Sequence, residues 1–326
     1  MTGLVIILVA GNLLAWCWAL AVFHGSSVLL ATAGLAYGFG LRHGFDADHI
    51  AAIDNVMRKL VHHGERPVYA GLFFALGHSS LVVVAATAIA LSAGGLLSAA
   101  PQLIGLSGAI GTAFSASLLL AIGIMNIAVF GGVLQAFRRV RRGEPHDEES
   151  LAYWLSRRGL LARLFRRTFA LVTRSWHMYP IGLLFAFSFD TATEIGILGI
   201  SASQAVQGLS LGAILAFPVL FAAGMMLIDG CDGMLMLEAY DCAFPNPLRR
   251  LYYNLAITGV SIVLALAVGS VEAIGLAAQH FGLEGGAWGA VAVAANQTGT
   301  LGYLAFGAVA AIWLGRLVMR RTARSR

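Results

Sequence analysis

The chain has 326 residues, 59% of them hydrophobic and only 11% charged, with a net charge of +5. A soluble domain carries about 25% charged residues, and the mean hydropathy here is +0.80, so a soluble enzyme is excluded and a polytopic membrane protein is expected. The charge does not point to nucleic acid, because no basic stripe with interleaved aromatics exists. The scattered Cys17, Cys231 and Cys242 support neither a disulfide framework nor a CxxC metal knuckle.

Apolar windows long enough to cross a bilayer fall near residues 3–23, 29–54, 68–92, 107–135, 178–200, 207–230, 252–278 and 298–317. The first lacks a basic flank and a small-residue cleavage site, so it reads as a retained helix rather than a signal peptide. The fourth is long and is expected to tilt or to break near Gly123. Twenty of the 21 Lys and Arg lie in connections 55–67, 136–177 and 231–251 or in the tail from Arg316. Connections 24–28, 93–106, 201–206 and 279–297 hold none. Cytoplasmic connections collect basic residues, so the alternation predicts an all-α fold of eight transmembrane helices in a single domain, 1–326, with both termini cytoplasmic.

Connection 136–177 is the one sizeable soluble piece. Leu151, Trp154, Leu155, Leu161, Leu164, Phe165 and Phe169 stand there among five arginines. That pattern suits either an amphipathic helix lying on an anionic leaflet or a basic linker that only fixes topology. No GxxxxGK[ST] loop exists, because the single lysine, Lys59, follows Arg58. ATP-driven work of the P-loop type is therefore not expected.

The twenty-first basic residue, Arg42, lies inside the second span, within Leu41-Arg42-His43-Gly44-Phe45-Asp46-Ala47-Asp48-His49-Ile50. An ionisable group at mid-bilayer costs roughly 2.5–3.5 kcal/mol on insertion scales, so this cluster has a function. Imidazole and carboxylate together suit Ni(II), Co(II), Zn(II) or Mn(II), whereas Ca(II) and Mg(II) prefer all-oxygen sites. At about 100° per residue a straight helix cannot aim His43, Asp46, Asp48 and His49 at one ion. Either the backbone unwinds near Gly44 or Asp48 serves another partner, such as the second nitrogen of a liganding histidine. Arg42 has no lone pair to offer a metal and is expected to neutralise a carboxylate. Asp54 reads as a solvated terminal residue.

The third span adds His78 and Ser79. The fifth adds Asp190, Thr193 and Glu194, of which the two acids share a helix face. For Glu194 three roles stay open: metal ligand, proton carrier or partner of Arg42. The sixth ends with Asp229 and Asp232, also on one face, at the expected cytoplasmic mouth. Met225 and Met226 read as lipid-facing packing, and Glu272 in the seventh span is a further buried acid. An interior so rich in carboxylates and so poor in bases suits a divalent transition-metal ion as the partner.

At these residues the chain resembles the nickel/cobalt transporter family of secondary metal permeases. The family's His-x4-Asp-His signature is matched by His43, Asp48 and His49, with Gly44 where alanine is usual. Its Leu-Gly-His-Ser motif is matched by Leu76 to Ser79, and its Phe-Asp-Thr-Ala-Thr-Glu motif by Phe189 to Glu194. Its Gly-Met-x3-Asp-Thr-x-Asp motif is matched at Gly224, Met225, Asp229 and Asp232, with Gly230 replacing threonine. The resemblance implies high-affinity uptake of Ni(II) or Co(II) across a bacterial inner membrane, without ATP and without a resident cofactor. Within that reading His43, Asp46, Asp48, His49 and His78 are the expected metal residues. Arg42, Ser79, Asp190, Thr193, Glu194, Asp229 and Asp232 support them or line the path.

Phe45-Asp46-Ala47 and Phe189-Asp190-Thr191 lie on spans of opposite direction, and each is followed by a Gly-led polar motif, at Gly77 and Gly224. This spacing suggests an inverted repeat. Two other functions remain to be weighed. A divalent-metal exporter is disfavoured because connection 136–177 holds only His146 and, at its edge, His177. An intramembrane metal-dependent enzyme acting on a phosphorylated lipid is disfavoured because Arg42 is the only intramembrane base available for a phosphate.

Overall fold

A computed structural model describes residues 1–62, 64–92, 95–142, 172–188, 192–240 and 247–283, together with positions 285, 286, 288 and 307. In chain order the helices are α1 (Thr2–Phe23), α2 (Ser27–Gly44), α3 (Ala47–His62), α4 (Ala70–Leu91) and α5 (Gly95–Arg141). They continue with α6 (Met178–Phe185), α7 (Ala192–Val206), α8 (Leu211–Tyr240) and α9 (Pro247–Phe281). A 3-10 turn precedes α6 at Ser175–His177 and another follows it at Ala186–Ser188. No strand occurs among the described residues.

Four of these helices are long and apolar enough to cross a membrane by themselves: α1, α4, most of α8, and α9 from Thr258. On α1, Leu4, Leu8, Ala15, Ala19 and Phe23 are buried, while Ile6, Val9, Leu13 and Leu14 are exposed. The buried set recurs at helical spacing, so one stripe packs inward and the apolar remainder suits lipid. Helix α8 is the hub and packs against α1, α2, α3, α4 and α7. Its Phe217, Leu220, Phe221 and Met225 join Ala33 and Ala36 of α2, Ala75 and Val82 of α4, and Ile197 of α7 in the largest buried cluster. Phe23 of α1 stacks on Phe217 with ring centroids 4.9 Å apart.

Glycine permits the closest crossings. A Cβ on Gly40 of α2 would strike the Phe221 backbone of α8, and Gly224 of α8 in turn faces the Tyr37 carbonyl. A Cβ on Gly77 of α4 would strike the Tyr179 carbonyl of α6, and Gly182 of α6 in turn faces the Phe74 carbonyl. Small residues at such contacts let helices approach to backbone distance, which supplies the packing that drives association in lipid.

Several expected boundaries are corrected. The second span is two helices, with a break at Phe45 and Asp46. In the fifth, the α-helix ends at Phe185 and passes into a 3-10 turn at Ala186–Ser188, and α7 is described from Ala192. The fourth is one continuous helix: α5 runs unbroken through Gly123, which packs on Leu266 of α9. Helix α3 continues to His62 into the expected 55–67 connection, α5 starts within the expected 93–106 connection, and α8 continues to Tyr240. The reason is common to all three: backbone hydrogen bonding carries a helix past the edge of its apolar stretch, so hydropathy marks where a helix is greasy rather than where it ends. Methionine 225 is fully buried in the core rather than lipid-facing. The expected amphipathic helix in 150–172 lies almost wholly outside the described residues, as does the eighth span apart from Gly307.

Gly40→Ala or Gly77→Ala should lower the thermal unfolding temperature of the detergent-solubilised chain, because overpacking costs about 1–3 kcal/mol and the atoms met are backbone. Gly38→Ala, with nothing within 4 Å of its would-be Cβ, should be neutral or slightly stabilising. Equal unfolding temperatures for all three variants would contradict the close-crossing account.

Candidate metal centre

The break in the second span is what builds the site. Helix α2 ends at Gly44, where a Cβ would meet Ile228 of α8. The Phe45 N–H turns back to the Arg42 carbonyl at 3.1 Å and the Asp46 N–H to the His43 carbonyl at 2.8 Å. The Asp46 carbonyl then accepts the Ile50 N–H at 3.3 Å and so opens α3. On a straight helix His43 and His49 would point about 120° apart. With the turn between them their rings stand 4.6 Å apart, centroid to centroid. His78, on α4, completes a triangle at 4.8 Å from each.

All three rings are buried, and one nitrogen from each lies within 4.8 Å of the others. Nitrogen ligands at about 2.0–2.1 Å from a metal stand roughly 3.3 Å apart in a tetrahedral site. The cluster is therefore close to a coordination geometry and needs only a small contraction. Phe74, 4.8 Å from the His49 ring, and Phe221, 5.4 Å from the His43 ring, wall it off.

The outer nitrogens are held by carboxylates. The His43 Nδ1–H donates to Asp46 Oδ2 at 3.0 Å, with Thr193 Oγ1 3.2 Å from the same nitrogen. The His49 Nδ1–H donates to Asp229, whose oxygens lie at 3.2 and 3.4 Å. In both rings this leaves Nε2 as the lone-pair nitrogen, and His49 Nε2 has no hydrogen-bond partner although it is fully buried. His43 Nε2 and His78 Nε2 are 2.9 Å apart, so one of them carries a proton. With the His43 proton on Nδ1, that proton sits on His78 Nε2, which also meets Glu194 Oε1 at 2.9 Å. Glu194 is 3.9 Å from His43 Nε2. A divalent cation at the centre would replace this shared proton with a charge that three imidazoles and a carboxylate hold better.

The acids occupy helix starts. Asp46 opens α3, Asp48 lies in its first turn, and Glu194 lies in the first turn of α7. The positive end of a helix dipole favours a carboxylate there, so two half-helices starting near the cluster stabilise the anions that orient the histidines.

Of the residues singled out in the sequence, His43, Asp46, His49, His78, Thr193, Glu194 and Asp229 are brought together here. Asp48 is half-buried in the first turn of α3, beside the cluster rather than within its hydrogen bonds. Arg42 is exposed on the last turn of α2, where its charge acts on Asp46. Ser79 is buried but its hydroxyl donates to Ala75 O of its own helix at 2.6 Å. Asp232 is fully buried without joining the cluster, and Asp190 lies outside the described residues. Neither Asp229 nor Asp232 is at a helix end, because α8 runs on to Tyr240. Asp54 is buried too, at 2% exposure, rather than solvated. The sequence reading also missed the tie between α5 and α3, in which Asn126 donates to Asn55 and Asn55 to Ala51 O. The signal for it was an asparagine within each apolar stretch.

The fold and this buried cluster define an all-helical protein with apolar spans and a histidine site suited to a transition-metal ion. A family model described as high-affinity nickel-transport protein matches residues 29–319, and the chain belongs to that family, NicO. A high-affinity nickel transport protein of Cupriavidus necator is 48% identical over 98% of this chain and 91% of its own length. The hydrogenase nickel incorporation protein HupN of Bradyrhizobium diazoefficiens is 46% identical, over 96% of this chain and 82% of its own length. The cobalt transport protein NhlF of Rhodococcus rhodochrous is 42% identical, over 75% and 70%. No solved structure matches the chain.

Outer partners of liganding histidines typically contribute 10–100-fold to metal affinity. Asp229→Ala should therefore weaken Ni(II) binding by about that factor in a titration of the purified chain. Asp229→Asn, whose amide oxygen still accepts the His49 N–H, should lose less. Wild-type affinity in the alanine variant would show that Asp229 does not orient His49.

Proposed function

We propose that this protein is a secondary permease that takes up Ni(II), and Co(II) in second place, across the inner membrane of a bacterium. The observation that carries the reading is the convergence of His43, His49 and His78, from three helices, two of them joined by a backbone break, on one buried point. Family membership and the names of the relatives support the cargo. Nickel ranks first because the relatives that cover most of this chain carry nickel in their names.

In this reading the three histidines hold the ion through one nitrogen each, and Glu194 supplies a carboxylate. Asp46 with Thr193, and Asp229, act as positioning residues on the outer nitrogens of His43 and His49. Asp48 and Asp190 complete or adjust the shell when the ion is bound. Three imidazoles and one carboxylate neutralise a divalent ion only in part, which suits a carrier that must also let go. At an inside-negative potential of about 100 mV a divalent ion gains roughly 4.6 kcal/mol on entry, or about three decades of accumulation. No nucleotide is required, and no catalytic step enters the account.

The proposed topology has eight spans and cytoplasmic termini, supported by the distribution of Lys and Arg. An inverted repeat is supported by the two interrupted spans and the two glycine crossings. Gly77 and Gly224 occupy matching places in the repeat, and each is met at backbone distance by a helix of the opposite half, at Tyr179 of α6 and at Tyr37 of α2. Such a relation would let the two halves rock about a fixed central site.

Cells expressing the chain should accumulate radiolabelled Ni(II) at trace concentration above a His49→Ala control of equal expression, by tenfold or more. Equal accumulation would remove this site from transport, and accumulation below the control would reverse the direction to export.

A further inference from the structure

Asp232 sits on α8 three residues beyond Asp229, on the same face and about 4.5 Å further along the helix axis. Its side chain has no exposure, and neither carboxylate oxygen meets a hydrogen-bond donor. Leaving a buried carboxylate bare is costly enough that such groups are ordinarily paired or hydrogen-bonded. The ionisable groups that act on it among the described residues are Asp54 on α3, Asp229 on its own helix, and His49. His49 is already bound to Asp229. Acidic crowding alone would mean little; a fully buried carboxylate with two unsatisfied oxygens, aimed among these groups, is what asks for a ligand.

The direction fits. Helices α3 and α8 pack together as they run from the histidine cluster towards the basic, cytoplasmic connections. Below the cluster they are joined by Ile53, Val56, Met57 and Leu60 of α3 with Met236 and Leu237 of α8. Asp232 lies between the cluster and that apolar seal.

We propose that Asp232 is a second cation station, which takes the divalent ion as it leaves His49 on the way to the cytoplasm. The proposal rests on the transport reading above. Asp229 serves both stations, holding His49 for the first and presenting a carboxylate on the Asp232 side for the second. The second station is all-oxygen, so it holds Ni(II) or Co(II) more weakly than imidazole nitrogen does. That order of affinities moves the ion downhill towards release and lets water rejoin its shell. Water completes coordination at Asp232.

The test is equilibrium dialysis of the full chain in detergent against radiolabelled Ni(II), with uptake measured in cells. The wild type should bind two ions, one tightly and one at least tenfold more weakly. Asp232→Asn should keep the tight ion, lose the weak one and lower uptake at least tenfold, with the thermal unfolding temperature unchanged. His78→Ala should do the opposite, weakening the tight ion and leaving the weak one unchanged. That variant tests the station even where Asp232→Asn fails to fold. A single ion in the saturated wild type overturns the proposal, as does a weak ion that survives Asp232→Asn, which marks it as surface-bound. Absence of the tight ion and of uptake in the wild type would instead sink the transport reading itself.

Discussion

A two-residue interruption between α2 and α3 is the constraint on which the site depends. Phe45 and Asp46 leave the helical path, and the chain re-enters it with His49 rotated back over His43. The break leaves few backbone groups unsatisfied, because the Phe45 and Asp46 amides turn back to carbonyls of α2 and the Asp46 carbonyl starts α3. Irregular backbone at membrane depth persists only where protein covers it or water fills it. Here α8 covers it, with Ile228 against Gly44 and Phe221 against Gly40. Place and partner are coupled, since the glycines that let α8 approach flank the residues that must turn.

The same logic runs through the second interrupted span. Helix α6 approaches α4 through Gly182 and Gly77, and His78 is the residue next to that crossing. Helix α7 begins where the site needs a carboxylate and a hydroxyl, and supplies Glu194 and Thr193. The histidines are thus fixed from outside by Asp46 at the break, by Thr193 and Glu194 of α7, and by Asp229 of α8. A cargo site must bind without trapping. Rings that are already oriented cost little entropy to engage, while affinity stays adjustable through the outer carboxylates.

The all-helical, apolar character of the chain was legible in the sequence because it follows from composition. The cost of charge in lipid singled out His43, Asp46, His49, His78, Glu194 and Asp229, which the structure brings together. Long-range geometry was not legible. Whether Gly44 marked a break or only flexibility depended on Ile228, 184 residues away, and no local pattern encodes that contact. Asp54 and Asp232 looked like solvated ends because hydropathy falls there, yet α3 and α8 continue and bury them. Met225 looked lipid-facing because apolar residues carry no sign of which neighbour they meet.

X-ray absorption spectroscopy of the purified chain loaded with one equivalent of Ni(II) tests the central claim most directly. The account predicts a shell containing three imidazole nitrogens, reduced to two in His78→Ala. A shell of oxygen alone, or one unchanged by loss of His78, would contradict it.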